Sequence, residues 1–164
     1  MTDAIYIVGT FLASVLAGVA IFIAMRPLRL ARQAEKIARA QRDFHRQREQ
    51  LEAKFFDHVS SSGKPRGLRW KDVDFDDDVI YARDRQNGQL KALVAIEVSF
   101  EAIDGGGMEE VEAVSNVRSA TAEFLHDSTR WYTQGRVYFN LAPNAAVKYL
   151  SNDLEMVAEE HARV

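Results

Sequence analysis

The stretch VIYARDRQNGQLKALVAIEVSFE, Val79 to Glu101, decides how the C-terminal part of the chain folds. Leu90, Ala92, Val94, Ile96, Val98 and Phe100 alternate over eleven residues, with Glu97, Ser99 and Glu101 between them. That period of two belongs to a strand with one buried face. Asn87-Gly88 is the dipeptide of a two-residue hairpin turn, because both positions tolerate positive φ. With those two residues as the turn, Tyr81 falls opposite Val94 and Val79 opposite Ile96, so the turn and the apolar phase agree.

The pattern continues outward from this hairpin. Asp104-Gly105-Gly106-Gly107 ends the strand, and Met108 to Ser115 reads as an acidic loop with at most one helical turn. A second hairpin runs from about Val117 to Leu125, turns at Asp127-Ser128-Thr129 and returns from Trp131 to Leu141. Gly135 marks a bulge there, where apolar residues crowd both phases. Pro143 opens a last helix carrying Val147, Leu150, Leu154 and Val157 at helical spacing, with Ser151-Asn152-Asp153 as an interruption. Upstream, Asp72 and Asp74 alternate with Val73 and Phe75 as a strand with a wet face ending in an Asp-rich turn. The expected fold class is α+β: an antiparallel sheet of four to five strands, a meander of hairpins covered by helices, including a C-terminal helix.

The N-terminus is of another kind. Ala4 to Met25 is 22 residues without a charge, and as a helix it spans roughly 33 Å, enough for a hydrocarbon core of about 30 Å. No basic n-region precedes it, and Gly18-Val19-Ala20 lies inside the apolar run, which disfavours a cleaved signal. No Lys or Arg lies before the span. From Arg26 to Gln50 eight basic residues stand against three acidic ones, a net of +5, whereas Ser61 to Val164 carries −6. Positive flanks stay on the cytoplasmic side, so the expected location is the inner (cytoplasmic) membrane, single-pass, N-terminus outside and domain cytoplasmic. Export of the domain is opposed by the same flank. Thr10, Ser14 and Gly18, beside Gly9, Ala13 and Ala17, form a small-residue stripe that lets another helix approach.

Leu28 to Val59 holds no Gly or Pro and is rich in helix formers. Leu30, Ile37, Phe44 and Leu51 recur every seven residues, but Gln41 and Arg48 interrupt the second column, too narrow a seam for a strong coiled coil. Leu51, Phe55 and Val59 instead make one stripe for docking on the domain. Arg26, Arg29, Arg32, Lys36 and Arg39 are the candidate membrane-surface contacts, facing anionic headgroups. Nucleic acid fits this run poorly, since Phe44 is its one aromatic before Phe55.

The chain has no cysteine, which excludes disulfides, thiolate metal clusters and thiol nucleophiles. Read from Asp72, the acidic run places Asp77 where a calcium loop needs Gly and Arg83 where it needs Glu. His45, His58, His126 and His161 show no ligand spacing, so no metal site is assigned. Ser60 to Ser62 near His58 read as linker rather than nucleophile, and Asp104 to Gly107 lacks the Lys and Ser/Thr of a phosphate loop. No catalytic residue and no cofactor are assigned. Arg83, Asp84 and Arg85 read as exposed pairs or as a rim for a partner. Glu123, Tyr132, Arg136 and Tyr138, with Arg118, are the candidate ligand or partner contacts, polar positions that a concave sheet gathers.

In architecture, a helix followed by a curved antiparallel meander with a late Trp-containing hairpin is similar to the cystatin-like and NTF2-like groups, which serve enzymes and adaptors alike. The words RPLRLARQ, REQLEAKFF, GKPRGLRW, YARDR, FEAIDGGGMEEVEAV and WYTQGRVYFNL resemble those of short membrane-anchored hypothetical proteins of planctomycete bacteria. The resemblance spans most of the chain and implies a bacterial origin; it carries no activity and no site residue.

The expected organisation is an anchor at 1–25, a basic juxtamembrane helix at 26–59, a linker at 60–66 and a small α+β domain at 67–164 packed with the end of the neck helix. The expected function is a membrane-tethered cytoplasmic interaction or adaptor domain, leaning non-enzymatic. Its partners are the lipid bilayer and another protein or a second copy through the span or neck helix. The alternative is a small-molecule-binding or catalytic domain of the cystatin-like or NTF2-like kind, with its pocket between sheet and helix.

Overall fold

The computed structural model describes residues 2–62, 67–111 and 116–161, with side chains in the first helix from Ser14 to Ser61. The elements are α1 (Thr2–Ser62), β1 (Leu68–Asp84), β2 (Leu90–Ala102), β3 (Arg118–His126), β4 (Trp131–Phe139), α2 (Pro143–Tyr149) and β5 (Leu154–Glu160). The chain forms two compact units, Met1–Arg42 and Asp43–Val164.

The first unit is helix. Pro27 lies inside α1 without ending it. Among the described residues, α1 holds one stretch long and apolar enough to cross a membrane, with none of it buried in the protein. Val15, Leu16, Val19, Ile21, Phe22, Ile23, Leu28 and Leu30 are all exposed. Thr10, Gly9 and Ala13 of the small-residue stripe lie outside the described side chains.

In the second unit the sheet is antiparallel throughout, in the order β4-β3-β2-β1-β5. The end of α1 packs on one sheet face through Phe44, Leu51, Phe55 and Val59, each at most 2% exposed. Phe44, seven residues before Leu51, extends by about two turns the docking stripe expected from Leu51, Phe55 and Val59. The helix also runs into the expected linker. Ser60 Oγ donates to the Phe56 carbonyl and Ser61 Oγ to the Asp57 carbonyl, both at 2.7 Å, so the serines bond back onto the helix. Residues 63–66 and 112–115 lie outside the described residues.

The first hairpin closes two residues away from the expected register: Tyr81 faces Ala92 and Val79 faces Val94. Asp84 accounts for the shift. Its Oδ1 accepts the N–H groups of Gln86 and Asn87, its carbonyl accepts the Gly88 N–H at 2.8 Å, and its own N–H donates to the Gln89 carbonyl. Gly88, at φ +73°, supplies the left-handed step. The loop therefore spans Arg85 to Gln89, and a shift of two leaves every side chain on its original face.

Two further expectations are corrected. Asp76 to Asp78 do not end a strand; β1 continues through them, with register shifts between Trp70 and Asp72 and between Phe75 and Val79. The Arg48 guanidinium holds this bulge, donating to the Asp76 and Asp77 carbonyls and pairing with Glu52 at 2.7 Å. The last helix stops at Tyr149, and the Leu150 carbonyl accepts the N–H groups of Asp153 and Leu154 as the chain turns. Leu154 to Glu160 then pairs with β1 from Val79 to Asp84, which would otherwise present an open edge. On this second face of the sheet, Ile80, Ala82 and Leu93 pack with Ala146, Val147 and Leu154.

Gly135 sits in the expected bulge, where the register shifts between Ala122 and Phe124. Its φ is +70°, and an added Cβ would meet the His58 Cβ at 2.9 Å and Val59 Cγ1 at 3.3 Å. Gly135→Ala is therefore expected to destabilise the second unit by about 1–3 kcal/mol. Urea unfolding of the full chain in mild detergent measures this, and an unchanged midpoint would contradict the close approach of helix and strand.

Candidate functional site

Strand alternation carries Lys91 of β2, Glu123 and Leu125 of β3, and Tyr132 and Tyr138 of β4 to the sheet face opposite α1. At the centre is Glu123, whose side chain is 3% exposed. Its Oε2 accepts the Tyr138 hydroxyl at 2.9 Å and the Lys91 ammonium at 3.2 Å. Lys91 Nζ also lies 3.6 Å from Asp84 Oδ2, and Arg136 Nε lies 3.8 Å from Glu123 Oε1. One ammonium is thus shared by two carboxylates, and a phenol and a guanidinium complete the set.

Each member is set in place by its local backbone. Lys91 and Glu123 face inward because their neighbours on the same side, Leu93, Leu125 and Thr121, are buried core positions. Thr133 Oγ1 donates to the Glu123 carbonyl at 3.1 Å and accepts the Gly135 N–H at 3.0 Å, which ties the bulge to β3 and delivers Arg136 to the rim. Burial opposes ionisation of Asp84, but the N–H groups of Gln86 and Asn87 and the Lys91 ammonium outweigh it and hold the carboxyl below its ordinary value. The Tyr138 phenol is pushed up to about 12, first by burial and then by the Glu123 carboxylate. A hydrogen bond with Tyr138, and then the charge of Glu123, raise the pKa of Arg136.

Of the residues proposed from sequence, Glu123, Arg136 and Tyr138 come together. Tyr132 lies on the same face, and its hydroxyl accepts Gln89 Nε2 at 3.0 Å. Arg118 does not join them: it is exposed at the start of β3, opposite Val98, with the parity of the other face. Asp84, read as part of an exposed run, is instead a partner of Lys91. Lys91 went unrecognised, although Leu93, Ile80 and Ala82 mark its side of the sheet as buried. The neck set Arg26, Arg29, Arg32, Lys36 and Arg39 is exposed along α1.

A second polar cluster lies where α1 meets β5. His45 Nε2 is 2.5 Å from Glu160 Oε2, which also accepts the Tyr81 hydroxyl at 3.3 Å. His161 stands near Asp78 and Glu159. Burial, then the charge of Glu160, push the Tyr81 phenol upward. Among the described residues no group of three or more His, Asp or Glu side chains is arranged to hold a metal ion. No family model, curated protein or solved structure matches the chain.

Chemically, Lys91 and Glu123 form a buried ion pair, with the exposed Arg136 guanidinium at its rim. Removing Glu123 takes the nearer carboxylate from a buried ammonium and leaves it Asp84 alone, at 3.6 Å. Glu123→Leu is expected to cost about 3–5 kcal/mol in urea unfolding, and adding Lys91→Met to recover most of that loss. A double variant as unstable as the single one would contradict this.

The phenols provide a pH dependence. Because folding raises their pKa values, the stability they contribute is whole below about pH 10, where unfolded tyrosine titrates, and is lost as pH rises through the folded values. Tyrosinate absorbance is expected to rise in two stages, the second coinciding with loss of circular dichroism. A single stage that leaves the fold intact would contradict the burial of Tyr81 and Tyr138.

Proposed function

We propose that the chain is a single-pass protein of the bacterial inner membrane, with its N-terminus outside, that holds its α+β unit in the cytoplasm as a non-enzymatic adaptor for another protein. The observation that carries this reading is the asymmetry about the apolar stretch: no Lys or Arg before it and eight basic residues between Arg26 and Arg48 behind it. The adaptor reading is supported by the Glu123 set, whose charges serve one another rather than a reacting group. The bacterial assignment rests on the resemblance of the sequence to planctomycete membrane-anchored proteins.

A second reading, a ligand-binding or catalytic domain of the cystatin-like or NTF2-like kind, is favoured by one feature. A buried carboxylate, a phenol and two cations converge on a sheet face to which α2 also packs.

With no native cysteine, Thr2→Cys and Ser61→Cys variants in intact cells test the topology through an impermeant thiol reagent. Labelling is expected at position 2 and not at 61; the reverse would overturn the cytoplasmic placement. Isolation of the full chain in mild detergent is expected to retain a second polypeptide in fixed ratio. Recovery of the chain alone, with saturable small-molecule binding that Arg136→Ala abolishes, would favour the second reading.

A further inference from the structure

The basic residues of the neck do not stand equally close to the end of the apolar stretch. The helix passes through Pro27 unbroken, so at about 1.5 Å per residue Arg29 and Arg32 lie ~5 and ~9 Å beyond Arg26, whereas Lys36, Arg39 and Arg42 lie ~15, ~20 and ~24 Å beyond it. Charges more than a Debye length from a surface, about 8–10 Å, are largely screened from it. The side chains add to this division. The Arg29 guanidinium carbon lies 5.7 Å from the centre of the Phe22 ring, so this arginine reaches back two turns into the apolar stretch. Phe22 is itself 63% exposed. Arg39 is answered on the helix instead, by Glu35 at 3.5 Å.

We infer that Arg26, Arg29 and Arg32 form a collar that binds the headgroups of anionic phospholipids, and that Lys36, Arg39 and Arg42 stand outside the lipid layer. This rests on the reading that the apolar stretch spans the membrane. It narrows the five surface contacts expected from sequence to the three nearest the bilayer. The chemistry is that of guanidinium on phosphate: Arg29, anchored over an aromatic ring at the edge of the hydrocarbon, offers its donors at headgroup depth.

The test uses the full chain reconstituted in phosphatidylcholine bilayers with trace spin-labelled phosphatidylglycerol or spin-labelled phosphatidylcholine, the immobilised fraction of each being read by electron paramagnetic resonance. The unaltered chain is expected to prefer the anionic probe by about fivefold or more, since each near-surface arginine contributes on that order. Arg26→Gln/Arg29→Gln/Arg32→Gln is expected to bring the two probes to parity, while Lys36→Gln/Arg39→Gln/Arg42→Gln stays within about twofold of the unaltered chain. Parity in the unaltered chain, equal loss in both triple variants, or loss confined to the second would each overturn the collar. Flotation with the vesicles separates the two levels of the reading. A chain that floats yet shows no preference overturns the collar alone, and one that does not float overturns the spanning reading with it.

Discussion

Phe44 meets Phe124 with ring centres 5.4 Å apart and Trp131 at 5.0 Å, both edge to face, and Phe55 meets Phe75 and Phe124 at 5.6 and 5.7 Å. The second unit depends on these contacts, because the sheet has no other partner on that face among the described elements. Aromatic pairs of this geometry add about 0.5–1.5 kcal/mol each beyond the area they bury. Exposed ion pairs such as Arg46 with Asp43 contribute about 1 kcal/mol or less. Helix and sheet therefore stay together through packing, and the polar links at the margins, Arg48 to the β1 bulge and His45 to β5, choose where the helix lies.

The opposite face of the sheet is organised by a different constraint. It is apolar where α2 and β5 close over Ile80, Ala82 and Leu93, and ionic where Lys91 meets Glu123. A carboxylate as buried as Glu123 persists only with donors around it, and Tyr138, Lys91 and Arg136 come from neighbouring strands. Such a set adds little net stability over an apolar one of equal volume, yet it penalises any strand pairing that separates its members.

Much of this was readable in the residues, and what was not has identifiable causes. Alternation in Leu90 to Phe100 reports the buried phase but cannot distinguish registers two residues apart, so the capping role of Asp84 stayed hidden. Ser60 to Ser62 carry loop composition, but the Ser60 and Ser61 hydroxyls bond back to the helix. Leu154 and Val157 fit helical spacing as well as strand pairing, and the decision came from the free edge of β1, a partner some seventy residues earlier in the chain. The grouping of Glu123, Arg136 and Tyr138 followed from their positions on one hairpin. The exclusion of Arg118 was available from parity alone, because an even-numbered residue of β3 cannot share a face with Glu123 in an unbroken strand.

The pairing of β5 with β1 also bears on biosynthesis. A ribosome delivers β1, β2, β3 and β4 in an order that lets each hairpin form as it emerges, but the outer side of β1 waits for β5, which follows all four in the chain. Until Leu154 to Glu160 emerge, every nascent chain presents the backbone of Val79 to Asp84 to its surroundings. Early termination beyond β4 would leave polypeptides with a complete meander and an unsealed border, the form most prone to join a neighbouring strand of the same kind.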